Sequence, residues 1–149
     1  MLERFFEDIN EVVNEIVQYF DEEYSAYMSD EFSADLTNGR VAYSLLVEPE
    51  SNEEFRNDFV SRFAVADKYS DFLLSLLHEI GHLETINDMV DDIEKRGKIT
   101  DNKKYFNLFN ERIATDWAGF WLEDNEVLAK RFDTQIEKKL FNLYSQISA

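Results

Sequence analysis

The sequence predicts an α+β fold, predominantly helical, with one small antiparallel sheet. Three observations carry this. Long stretches repeat their apolar residues every three or four positions, which is the period of a helix with one buried face. A single Asn-Gly pair, Asn38-Gly39, stands between two alternating segments, which marks a hairpin. No internal repeat and no linker rich in glycine or proline divides the 149 residues, so one domain over 1–149 is expected.

From about Glu3 to Phe20, the residues Phe5, Phe6, Ile9, Val12, Val13, Ile16 and Phe20 share one helical face, and Glu7, Asn10, Glu11 and Asn14 share the other. The hairpin follows over about 31–47. A two-residue turn at Asn38-Gly39 would set Leu36 opposite Val41, Ala34 opposite Tyr43 and Phe32 opposite Leu45. Pro49 ends its second strand, and Ser51 with Glu54 forms a capping box for a short helix reaching Phe63. The segment Arg62 to Ala66 is compatible both with the end of that helix and with an edge strand. Ser70 then caps a helix over about 70–93, which packs against another over about 103–122. Asp124 or Asn125 caps the last helix, which buries Leu128, Phe132, Ile136, Leu140, Leu143 and Ile147.

Composition narrows the function. Fifteen basic against 32 acidic residues leave a net charge of -17, a field that repels nucleic acid and anionic membrane and so argues against direct binding of either. The same field suits a basic or DNA-binding protein partner. Cysteine is absent, which excludes disulfides, thiolate ligands and a thiol nucleophile. The N-terminus lacks the apolar run of a signal peptide, and no apolar stretch approaches membrane-spanning length, so a cytoplasmic location is expected. The acids Asp88, Asp91, Asp92 and Glu94 lack the loop and glycine spacing of a calcium site and are read as a solvated helix face.

The chemistry concentrates in His78-Glu79-Ile80-Gly81-His82, which contains both histidines of the protein. Positions i and i+4 lie one above the other on a helix, so two imidazoles can grip one tetrahedral Zn2+ ion and the glutamate between them can reach a water. A catalytic zinc usually takes three protein ligands, and without further histidine or cysteine the third must be a carboxylate. Two compete. Asp88 follows His82 by six residues, but no helix breaker intervenes, and on a continuous helix it points about 120° away. Glu111 shares a face with Ala114, Thr115 and Ala118, whose small size lets that helix lie close to the histidines, and Gly81 offers the matching approach. Glu111 is preferred. Phe106, Phe109, Trp117 and Phe120 are expected to anchor the other faces of that helix in the core.

A histidine helix followed by Glu111-x-x-Ala114-x-x-x-Ala118 resembles the zincin metallopeptidases of the glutamate-ligand type, and among them it is similar to the small ImmA/IrrE-like group. The likeness covers about Ser70 to Trp121. It implies a compact zincin-like domain, His78, His82 and Glu111 as zinc ligands, Glu79 as general base, and hydrolysis of a peptide bond in an intracellular protein. Where that group has Asn or Asp four residues after the ligand glutamate, this chain has Thr115, with the acid one place later at Asp116; these two are the candidates for orienting a ligand histidine. Tyr105 is the candidate for assisting the oxyanion, and an open sheet edge would align the substrate. The competing expectation is an acidic binding protein on the same scaffold, which occupies a basic partner and whose metal is structural or lost.

Overall fold

The computed structural model describes residues 2–45, 49–96 and 103–148, with side chains described over 3–45, 53–86 and 111–145. Its order is α1 (Leu2–Phe20), β1 (Ser25–Met28), β2 (Ser33–Asp35), β3 (Arg40–Tyr43), α2 (Pro49–Arg62), a 3-10 turn (Ala64–Lys68), α3 (Asp71–Arg96), α4 (Lys103–Asp124) and α5 (Glu126–Ser148). This is the predominantly helical α+β arrangement that the periodicity predicts. No helix among the described residues is long and apolar enough to cross a membrane.

Helix α3 is central because it is apolar on several faces: Leu73, Leu74, Leu76, Leu77 and Ile80 are all fully buried. Ile9, Val13, Ile16 and Val17 of α1 join the same core, with Val41 and Tyr43 of β3 and Phe132, Ile136 and Leu143 of α5. Ser70 caps α3 as its hydroxyl implies, accepting from the Leu73 N–H at 3.2 Å. The same hydroxyl donates to Asp133 of α5 at 2.5 Å, and the Ser70 N–H donates to the other oxygen of that carboxylate at 3.1 Å. Asp133 is 7% exposed, so a buried negative group from the last helix sits at the positive end of α3.

The sheet differs from the hairpin expectation in three ways. Its order is β1-β3-β2, with β2 antiparallel and β1 parallel to β3, so it is mixed and has a strand that no turn signal announced. The hairpin pairs Ser33 with Ala42, Ala34 with Val41 and Asp35 with Arg40, so the loop holds four residues where the Asn-Gly signal implied two. Asp35 causes this. Its carboxylate accepts from the Thr37 and Asn38 N–H groups and from the Asn38 amide at 2.8 Å, and only Gly39 takes a positive φ, at 63°. The register moves by two residues, an even number, so each side chain keeps its face and Val41 still points into the core. The strands are also shorter than 31–47, and 46–48 lie outside the described residues.

Helix α2 begins at Pro49, where a missing N–H costs nothing, so Ser51 lies inside the helix and is not its cap. The undecided segment after Arg62 becomes the 3-10 turn, with no edge strand. Of the rings expected to anchor α4, Trp117 is half-buried, whereas Phe120 is 59% exposed and meets the Phe63 ring at right angles. The neighbouring Gly119 lies under the Phe63 ring and takes the inward place. Phe106, Phe109 and Ile147 fall outside the described side chains, as do Asp91, Asp92 and Glu94.

The two edges of the sheet are not equivalent. The Asn14 side chain of α1 donates to the Ala26 carbonyl at 3.1 Å and accepts from the Ala26 N–H at 2.8 Å, so an amide closes the outer side of β1 as another strand would. Nothing among the described residues does this for β2.

Helices α3 and α4 meet at Gly81. A Cβ there would lie 2.5 Å from the Ala114 carbonyl oxygen, which is backbone and cannot rotate away. Gly81→Ala gains about 1 kcal/mol of helix propensity, but the overlap forces the helices apart. A net loss of about 1–3 kcal/mol is expected, several degrees of melting temperature. A variant that melts like the parent would show that the approach is not this close.

Candidate metal centre

The central helix sets the histidines. His78 and His82 stand one turn apart on α3, their rings perpendicular with centroids 4.7 Å apart, and both are buried. Phe55 of α2 meets the His78 ring edge-on at 5.3 Å and closes that side. Across the Gly81–Ala114 contact, α4 presents Glu111, which spans both imidazoles. One carboxylate oxygen lies 2.5 Å from His78 Nε2 and the other 3.2 Å from His82 Nε2. The His side chains are 7% and 6% exposed, and that of Glu111 is 58% exposed, so the cluster is walled on the helix side and open to water beyond the carboxylate.

One turn after Glu111, Thr115 is buried with its hydroxyl 2.9 Å from His78 Nδ1. The threonine thus stands where an orienting group is needed. Asp116 does not: its carboxylate is turned toward Arg62 of α2 in an ion pair. One residue along a helix is about 100° around its axis, so Thr115 and Asp116 cannot share the histidine face. Helix α3 runs unbroken through position 88, and the side chains of Asp88 and Tyr105 lie outside the described residues.

Glu79 completes the group. Its carboxylate and the ligand atoms of His78 and His82 all lie within 4.8 Å of one another. Burial pushes its carboxyl above the ordinary range, against the pull of the two imidazoles; the carboxylates of Glu111 and Glu31 push the same way as burial. Glu111 moves the other way, because its hydrogen bonds with His78 and His82 hold its carboxyl far below the ordinary range. Two carboxylates beside the same pair of imidazoles are therefore tuned oppositely, one to stay ionised and one to hold a proton readily. The contribution of Glu31, on the crossover between β1 and β2, is one that sequence reasoning missed. Nothing in the spacing of residues 29–32 signals that they pass beside α3.

The donor set fits a divalent cation on its own chemistry. A carboxylate only accepts, so each Nε2 that bonds to Glu111 must carry the proton between them. A cation in place of those protons would be shared by the same three side chains, while a proton on His78 Nδ1 is accepted by Thr115.

The direction of the Glu79 shift predicts a pH signature in metal-free protein. An acid whose folded pKa is raised costs stability once pH passes its unfolded value near 4.3. Glu79→Gln removes that cost. With a chelator present, the variant should melt with the parent near pH 4 and above it at pH 7, as scanning fluorimetry at the two pH values would report. A constant difference across that range would contradict the burial of this carboxylate.

No family model, curated protein or solved structure matches the chain.

Proposed function

We propose that this protein is a zinc-dependent peptidase, with His78, His82 and Glu111 holding the metal and Glu79 as general base. The observation that carries the reading is that two imidazoles one helical turn apart and a carboxylate from a second helix meet at one solvent-open point, with a proton-avid carboxylate beside it. Zinc bound there would polarise the scissile carbonyl and acidify a water. Glu79 would take the proton of that water at a carboxylate oxygen and deliver it to the departing amine as the C–N bond breaks. Its raised proton affinity suits both halves of that task. With Nε2 on the metal, His78 Nδ1 would carry the ring proton and donate it to the Thr115 hydroxyl, which would keep the ring from turning.

The substrate in this reading is an extended protein or peptide segment. The sheet has two edges, and Asn14 already occupies that of β1. Strand β2 packs against α3, and Phe32 just before it meets Phe72 at right angles, two helical turns before Glu79 and on the same face. A peptide pairing with β2 would run past the site.

Three measurements test this. Freshly purified, unchelated protein should contain about one zinc per chain, lost in His78→Ala; protein without zinc would end the proposal. Thr115→Val should weaken zinc binding by about 10–100-fold in a competition titration. Glu79→Gln should keep its zinc while peptide cleavage falls by about 10²–10⁴-fold. Cleavage that survives this change would remove Glu79 from the role assigned to it.

A further inference from the structure

Residues 29–32 carry the chain from the end of β1, past the end of β3, to β2. Two of them are acids at the start of the open edge, Asp30 and Glu31, and both are exposed. Glu31 makes no hydrogen bond or ion pair with any described residue, although its field reaches Glu79. The acid at the other end of β2 is already used, since Asp35 accepts three hydrogen bonds from its own loop. Two arginines of α2 are used as well. Arg62 is paired with Asp116, and Arg56 bonds Asp71 at 2.9 Å together with the backbone oxygens of Tyr69 and Asp67. Glu31 and its neighbour Asp30 are thus, among the described residues, unpaired charges at the start of the β2 edge, beside the Phe32–Phe72 contact, and both are negative.

We propose that the β2 edge selects extended peptides with a basic side chain, and that Glu31 is the residue that reads it. This rests on the peptidase reading above and specifies its substrate class. An arginine or lysine on a strand paired with β2 would meet a carboxylate that has no competing partner. A neutral residue there would gain nothing, and an acidic one would face Glu31 and the net charge of -17 together. A pair at a solvent-exposed site is weak, so discrimination of up to about fivefold per basic residue is expected, shrinking as salt is added.

The test uses the zinc-loaded Glu79→Gln protein and fluorescein-labelled ten-residue peptides of alanine and serine. Each carries a single Arg, Gln or Glu at a scanned position, and binding is read by anisotropy. The expected result is tighter binding of the Arg peptides at one or two adjacent positions. That preference should disappear when Glu31→Gln is added and turn toward Glu when Glu31→Lys is added, with melting temperatures unchanged because Glu31 is exposed. Equal binding of the three peptides, no binding of any, or a preference that survives Glu31→Gln would overturn the proposal. The two readings fail separately. Charge-selective binding without cleavage by the zinc-loaded parent would sink the peptidase reading and leave this one. Cleavage indifferent to charge would do the reverse.

Discussion

The candidate site depends on how closely α3 and α4 approach. His78 and His82 belong to one helix, and Glu111 and Thr115 to the other, so every contact between them is set by the distance between two helix axes. That distance is set by Gly81 against Ala114, where the carbonyl occupies the space a side chain would take. A glutamate side chain is short, and only this approach lets its two oxygens reach both imidazoles. Phe63 lying on Gly119 and the Arg62–Asp116 pair hold the outer side of α4 in the same way, through α2. The small residues of α4 thus act as spacers more than as core.

Against that background, the opposed behaviour of the two glutamates has a simple origin. Glu111 reaches across the gap toward hydrogen-bond donors and lies at the solvent boundary, so its charge is welcome there. Glu79 belongs to α3 itself, where burial outweighs the pull of the neighbouring imidazoles. Residue type is the same in both cases, and the surroundings assign the work. The proposed division into ligand and base follows from this difference in surroundings.

The helices and the site pair were legible in the sequence because both depend on short-range periodicity. Apolar spacing located the five long helices within a few residues, and the alanines after Glu111 marked the face that meets Gly81. The choice of Thr115 over Asp116 as the partner of His78 was not legible by residue type, since the acid looks the better candidate; the 100° step between adjacent helical positions decides it. Strand β1 was not legible at all. It is four residues long, pairs in parallel without a turn, and owes its place to Asn14, twelve residues earlier. The hairpin register failed for a local reason: the Asp35 side chain offered the backbone an alternative to the tight Asn-Gly turn. Phe120 failed because hydrophobicity alone does not say which of two neighbours, a ring or a glycine, faces another ring.

The buried carboxylate of Asp133 has a consequence for the order in which the molecule is completed. The helix bearing both histidines begins at Ser70, yet the group that holds that beginning comes from α5, 63 positions later. During synthesis the site helix therefore has its own serine cap early and its acidic support only when the last helix emerges. The start of α3 is thus supported by a group made 63 positions after it.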